Sequence, residues 1–428
     1  MGRQSADGPR AEKSSTRCML LQEVNMLHTV HHVEQSIPDP YLCQAIDPAL
    51  VHHSARAGSL EFSHGWRRVE LGEVPCGRPD SFDPRRSEHG VDDSSDWTDM
   101  TDPVPSPLIV GLGEAMIRLS PPHRMPLRVA HQLDVHVAGA ELNVLVAAAA
   151  LGARSRWLTR LPANELGAMI AHRARAYGLD VVANEEEDGR AGLYFLEVGV
   201  PPRPSSVLYD RRESAPSHLS AEEFEWERVL EGASAVHVTG ITCALGEGPM
   251  EATLALFKAA EHAGVTTSFD VNNRNHLWDG DQALACYRRV LPLVDTLFVS
   301  PSDLNMLCGR AGDTDVLAAR VIAEYSISTL VIRERLEVSP VELGARVRVM
   351  GSRSATAEAS GYVVDEIGAG DAAAGAFLAS MLGGNTDAVS AERCVRAYAR
   401  MLTIPGDLWS GSVHDLDEGY VSTRTVVR

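Results

Sequence analysis

The 428-residue sequence predicts an α/β fold: a mainly parallel sheet with helices on both faces, and a small second sheet. Three observations carry this. From residue 107 onward, short apolar runs alternate with Ala-rich or amphipathic stretches, the rhythm of repeated βαβ crossovers. Several of those runs are apolar throughout, as strands covered on both faces require. Glycines punctuate the pattern where helices end and where strands turn into helices.

Residues 108–113 are the first predicted strand, an apolar run ending in glycine. Residues 144–151 make an Ala-rich helix closed by Gly152. A strand at 155–161 and a helix at 165–177, ending at Gly178, follow. Ser220 and Glu223 have capping-box spacing, which predicts a helix from there to about residue 230. Strands are expected at 235–240, 266–271, 296–300 and 329–332, with helices at 250–263 and 281–290 between them. Two stretches break the rhythm, 128–138 and 193–211. The alternation in Leu193-Tyr194-Phe195-Leu196-Glu197-Val198 suits a small sheet with one wet face. Such segments are either a flap over the carboxyl ends of the main strands, where ligands bind in open α/β sheets, or an ordinary edge hairpin.

Bulk properties exclude several function classes. A formal charge of −19 argues against a nucleic-acid partner, which needs clustered cations. The lysines are Lys13 and Lys258, neither in a G-x-x-x-x-G-K context, so a Lys-based phosphate loop is excluded. Cysteines 18, 43, 76, 243, 286, 308 and 394 are scattered without a C-x-x-C pair, which points to a reducing cytoplasm. No apolar run is long enough to cross a bilayer, and no secretory signal opens the chain, so no membrane partner is expected. Residues 1–105 have poor hydrophobic periodicity and are expected to form a disordered extension, with translation beginning at Met100. Their His31-His32 and His52-His53 pairs read as polar tail residues rather than metal ligands, because no ligand spacing accompanies them. The folded domain is expected over 106–412, with 413–428 as a tail.

The most informative run is Val364-Asp365-Glu366-Ile367-Gly368-Ala369-Gly370-Asp371-Ala372-Ala373-Ala374-Gly375, leading into an Ala-rich helix to about residue 381. Glycines around one alanine let the backbone turn and aim successive N–H groups at one spot. The helix N-terminus adds partial positive charge there. Gly368, Ala369 and Gly370 thus make a candidate anion hole. Asp371 at its mouth either accepts a proton from an attacking hydroxyl or simply caps the helix. Gly111-Leu112-Gly113-Glu114-Ala115-Met116 starts like a dinucleotide fingerprint but lacks the third glycine. Its glycines are expected to let the backbone approach substrate.

This run resembles the G-A-G-D signature of the PfkB (ribokinase) family of carbohydrate kinases. Gly139-Ala140-Glu141-Leu142-Asn143, Leu151-Gly152 and Arg160-Leu161-Pro162-Ala163-Asn164-Glu165-Leu166-Gly167 resemble the family's upstream signature, in the expected order. The resemblance implies a ribokinase-like three-layer sandwich with a β-sheet lid (about 126–139 and 190–212). It also implies ATP with Mg²⁺, and often a homodimer through the lids. Four segments are similar to 2-keto-3-deoxygluconate kinases: Gly113 to Leu119, Tyr209-Asp210-Arg211 with Ser214-Ala215, Asp270 to Arg274 with Leu277-Trp278, and Thr403 to Asp407. The implied reaction is transfer of phosphate from ATP to the terminal hydroxyl of 2-keto-3-deoxygluconate or a related sugar acid. By that resemblance Asp371 is the base, and Gly139, Asn143, Tyr194, Tyr209 and Arg211 line the sugar pocket. Arg274 holds the sugar carboxylate, as suits a guanidinium fork, and Asp407 binds a hydroxyl. Each has a plainer reading: a tyrosine as core packing, Arg274 as a helix cap, Asp407 as the end of a turn.

Three segments depart from the family pattern. The usual Asn-x-x-Glu is replaced near Ser300-Pro301-Ser302-Asp303-Leu304-Asn305, with Ser302 at the Asn place and Asn305 at the Glu place. A glycine turn that normally meets the nucleotide is replaced by Arg333-Glu334-Arg335-Leu336-Glu337. Asn273 stands where an aromatic residue is common. Ser302 and Arg333 are therefore the nucleotide-side candidates, and the metal ligands stay open. The rivals are a fructose- or ribose-type kinase of the same fold, and a sugar-binding regulatory protein whose ATP site has decayed.

Overall fold

The computed structural model describes residues 106–351 and 354–417. The expectations for the extension, its histidine pairs and Met100 lie outside the described residues. In chain order the strands are β1 (Leu108–Leu112), β2 (Met116–Ser120), β3 (Asp134–Ala138), β4 (Arg154–Pro162), β5 (Asp180–Glu186), β6 (Gly192–Glu197), β7 (Ser206–Asp210), β8 (Ala235–Thr239), β9 (Thr266–Asp270), β10 (Thr296–Val299), β11 (Thr329–Ser339), β12 (Glu342–Gly351) and β13 (Ser354–Tyr362). The helices are α1 (Ala140–Ala150), α2 (Glu165–Ala176), α3 (Trp226–Val229), α4 (Gly240–Cys243), α5 (Glu247–Ala263), α6 (Gly280–Val290), α7 (Pro301–Leu307), α8 (Thr314–Tyr325), α9 (Ala369–Leu382), α10 (Asp387–Met401) and α11 (Val413–Asp417).

Among the described residues one nine-stranded sheet runs β13-β12-β11-β10-β9-β8-β1-β4-β5, and a four-stranded sheet runs β3-β2-β6-β7. The large sheet is parallel from β11 to β5, and the β11-β12-β13 edge is antiparallel. Neighbouring residues on the central strands enter opposite cores, as the two-residue strand period demands. Val110, Leu297 and Leu330 pack with Phe257 of α5 and Tyr287 of α6. Ile109, Phe298 and Val331 pack with Leu142 of α1 and Phe377 of α9. Each fully buried aromatic or branched side chain stabilises the fold by about 1.5–3 kcal/mol. The three-layer fold class expected from the sequence is therefore present.

Several expectations are corrected. The helix predicted from Ser220 does not form. Glu223 is drawn away to Arg160 Nη1 (3.0 Å) and Asn184 Nδ2 (3.0 Å), leaving the single turn of α3. The predicted strand 128–138 shrinks to β3, because Pro121, Pro122 and Pro126 favour 3-10 turns that occupy residues 122–124 and 127–129. The second small-sheet stretch is split by Pro201, Pro202 and Pro204 into β6 and β7. β2, which was not expected to be a strand, joins that sheet by pairing with both β3 and β6. Where the resemblance implies a turn after residue 332, β11 continues to Ser339, in register with β12 as far as Glu337 and irregular before Ser339. Gly111 and Gly113 make room for α1 rather than substrate: a Cβ there would sit 2.8 Å from Leu145 Cδ1 and 2.1 Å from Glu141 Oε2. α11 extends the folded part past residue 412, with Leu416 buried.

Two connections between body and lid are short. Residues 113–115 separate β1 from β2, and Gly139 alone separates β3 from α1.

Candidate active site

A cleft of about 940 Å³ opens between the small sheet and the carboxyl ends of the parallel strands, where open α/β sheets bind ligands. Gly139, Asn143, Tyr194, Tyr209, Arg211, Arg274, Asp371 and Asp407 all line it. The structure thus brings together eight of the sequence-derived candidates. Ser302 is exposed at the start of α7, its hydroxyl 2.7 Å from Ser300 Oγ, and lies outside that lining, as does Arg333.

One end of the cleft is built on α9. Gly368 caps the helix with φ 82°, a left-handed conformation in which a side chain is strained. A Cβ there would also stand 2.4 Å from the Asp407 carbonyl. The first-turn amides of α9 have no carbonyl partner within the helix, so they are donors in search of an anion. Asp371 projects from that same turn. Asn143 of α1 donates to its Oδ2 at 2.8 Å, while Asn143 Oδ1 accepts from the Gly139 amide at 3.3 Å. Burial lifts the Asp371 carboxyl to about 6; Asn143 opposes the shift, Asp270 adds to it, and Arg274 and Arg333 counter it. A carboxyl poised there ionises near neutral pH yet retains affinity for a proton, as a general base requires.

The other end centres on a buried cation, Arg118, which the sequence marks only as part of a segment. Arg118 of β2 donates Nη1 to Asp407 at 3.0 Å, Nε to Ser120 Oγ at 2.8 Å, and Nη2 to Asp365. Tyr194 of β6 donates its hydroxyl to the other Asp407 oxygen at 2.9 Å. Asp407 lines the cleft, both its oxygens already have partners, and burial lifts it to about 6 against the pull of Arg118. Glu114, also not singled out, accepts from Ser214 and pairs with Arg211, fixing the end of β7 to the β1–β2 connection. Tyr209 lies 5.8 Å from the Tyr194 ring, and Arg211 sits 5.9 Å from the Tyr209 ring centre. The signal for Arg118 was a charge in the strand Met-Ile-Arg-Leu-Ser, which is otherwise buried; Asp365 offered none.

Arg274 is exposed on the loop after β9 and faces the cleft as a cation. Asn273, the third departure, organises that loop. Its Oδ1 accepts from Trp278 Nε1 at 2.9 Å and from the Tyr287 hydroxyl at 3.3 Å. At the altered Asn-x-x-Glu segment, Ser300 and Asp303 form a reciprocal capping box that starts α7, and Asn305 Oδ1 accepts from the Gly312 amide at 3.3 Å. Arg333 turns inward beneath the anion-hole turn, donating to the Gly370 carbonyl at 2.7 Å.

A lidded α/β sheet with a carboxylate beside free helix-start amides defines a phosphotransferase that acts on an alcohol. The chain matches the pfkB family carbohydrate kinase description over residues 106–402, and it belongs to that family. It is 34% identical over 300 residues to a 2-dehydro-3-deoxygalactonokinase of Haloferax volcanii, covering 70% of this chain and 92% of that protein. It is 32% identical over 305 residues to a 2-dehydro-3-deoxygluconokinase of Thermoproteus tenax, covering 70% of this chain and 89% of that protein. The crystal structure of a 2-dehydro-3-deoxygluconokinase of Thermotoga maritima superposes with a TM-score of 0.69 at 32% identity, covering 73% of this chain and 98% of that one. The protein is a carbohydrate kinase, and ATP with Mg²⁺ are the general requirements of that class.

Proposed function

We propose that this kinase phosphorylates the terminal hydroxyl of 2-keto-3-deoxygluconate or a closely related sugar acid. The observation that carries the reading is the pairing, across one cleft, of Asp371 at the α9 anion hole with the exposed cation Arg274. An uncharged sugar has no use for that guanidinium, whereas a carboxylate meets it in two parallel hydrogen bonds. Relatives about one third identical carry the names of 2-keto-3-deoxy sugar-acid kinases, which supports the same substrate class.

The first-turn amides of α9 fit the phosphate end of the nucleotide, and Mg²⁺ supplies charge neutralisation on the phosphate oxygens. Arg274 anchors the carboxylate. Tyr194, Tyr209, Gly139 and Asp407 bound the sugar, with Arg118 holding Asp407 in place. Asp371, oriented by Asn143, takes the proton of the attacking hydroxyl, and the amides of residues 369–371 receive the charge of the transferred group. Ser302 is the candidate nucleotide contact on α7. The face of β7 turned away from the cleft, where Leu208 is 61% exposed, suits a second copy of the chain, so we assign a lid-mediated homodimer, testable by light scattering. The free thiols Cys243, Cys286, Cys308 and Cys394 suit a reducing cytoplasmic setting.

The test is a coupled ADP-release assay over 2-keto-3-deoxygluconate, its C4 epimer, fructose and ribose. Turnover of a keto-deoxy acid is expected. Turnover confined to the neutral sugars would overturn the substrate class and leave the kinase.

A further inference from the structure

Arg333 stands in one of the segments that departs from the family pattern, and the structure gives its side chain unusual connections. It is largely buried, on β11, with its guanidinium 5.4 Å from the ring centre of Phe298 on β10. Phe298 in turn meets Phe377 of α9 edge-on at 5.6 Å. Nη1 donates to the carbonyl of Gly370 at 2.7 Å, inside the anion-hole turn. Nη2 pairs with Asp270 Oδ2 at 2.5 Å. The other Asp270 oxygen accepts from the Asn272 amide at 3.1 Å. Asn272 has φ 37°, an uncommon conformation for a residue other than glycine, and two residues later the same loop presents Arg274 to the cleft. One planar guanidinium and one buried carboxylate therefore span from the phosphate turn to the substrate-anchoring loop.

We propose that Arg333 and Asp270 are positioning residues for phosphoryl transfer: their ion pair fixes the anion-hole turn of α9 relative to the Arg274 loop. The proposal rests on reading Asp371 as the base and Arg274 as the anchor. A bidentate fork sets both distance and orientation, which a single ammonium cannot do. Misplacing a reacting group by about 1 Å costs about 100-fold in rate, so a residue that never touches substrate can control kcat through this link. Asp371 is faced by Asp270 from β9, Arg274 from the loop, Arg333 from β11 and the neutral Asn143 from α1. Around Arg333 itself stand Asp270 and Asp371, with Cys394 of α10, His237 of β8 and Asp303 of α7 as further neighbours.

The test compares Arg333→Met, Arg333→Lys and Asp270→Asn in the full chain, with whichever sugar the wild type turns over best. We expect Arg333→Met to lower kcat about 10–100-fold, with KM for the sugar changing less than about threefold. Removing that cation should move the acid limb of kcat to higher pH, because it holds the Asp371 pKa down. Asp270→Asn removes a carboxylate that holds the pKa up, so its limb should move lower. Arg333→Lys keeps the charge and loses the fork, so its kcat should fall while the limb stays in place. Carbon-13 NMR titration of aspartate carboxyls in the ligand-free proteins reads the same shifts without any turnover. If Arg333→Met does not fold, Arg333→Lys and Asp270→Asn face the same criteria. Losses that follow the unfolded fraction, with limb and carboxyl pKa unmoved in every variant, would overturn the proposal. A wild type that prefers a neutral sugar would overturn the substrate reading and the anchor role of Arg274, while the kcat and limb criteria would still test the link from Arg333 and Asp270 to the Asp371 turn.

Discussion

The two ends of the cleft are held together by different means. At the sugar end the lid is bound to the body by a buried cation: Arg118 of β2 joins Asp365 and Asp407, and Tyr194 of β6 closes the group. At the proposed phosphate end the working groups are the α9 amides and the Asp371 carboxyl, held in place by side chains: Asn143 on Asp371 from the cleft wall and Arg333 on Gly370 from behind. The sugar end thus stakes stability on desolvated charge, whereas the phosphate end stakes chemistry on the position of a turn. Substitutions at the first should be read chiefly in folding and sugar affinity, and at the second chiefly in kcat.

The largest expected effect breaks the phosphate end alone. Asp371→Asn should lower kcat by about three orders of magnitude while calorimetry shows sugar binding retained. A comparable loss of sugar affinity would mean that the two ends are not separable. Next, Arg118→Met strands two buried carboxylates and should cost about 3–5 kcal/mol, seen as a large drop in Tm. An unchanged Tm would remove the contrast. Smaller again, Arg274→Leu should raise KM for a sugar acid about 10–100-fold, as expected for loss of one charged hydrogen-bonding partner, with kcat less affected. The pH profile sharpens the phosphate end further. With Asp371 lifted to about 6, the base is ionised above that pH, so kcat should fall about tenfold per unit as pH drops below it. The smallest effect is a control on the β11–β13 edge. Arg346→Ala removes an exposed cross-strand pairing with Glu334 and Glu358, and should leave Tm within about 3 °C of wild type.

What could be read from the chain follows the same division. Strands buried on both faces announce themselves as continuous apolar runs, and the glycines around Asp371 mark a helix start whatever the fold. Asp371 is therefore visible in a short window, whereas Gly139 and Asn143 are legible only through the family signature they resemble. Arg118 was not visible: its partner Asp407 lies 289 residues away, and nothing local distinguishes a charge destined for burial. β2 was missed as a lid strand because it follows β1 so closely. The Ser220 helix fails to form because capping spacing is a local property, and Arg160 and Asn184 claim Glu223 from 63 and 39 residues away. Arg333 was noticed for standing where a glycine turn was expected. Its inward course depends on β11 running on in register with β12, which no window shows.

The two short links between lid and body touch. Gly139 packs so tightly on residues 113–115 that a Cβ there would lie 2.1 Å from the Glu114 carbonyl. Glu114 and Gly139 also border the cleft. The tightest joints between the two sheets are therefore also pocket wall, so a bulkier residue at position 139 would disturb the hinge region and the cleft together.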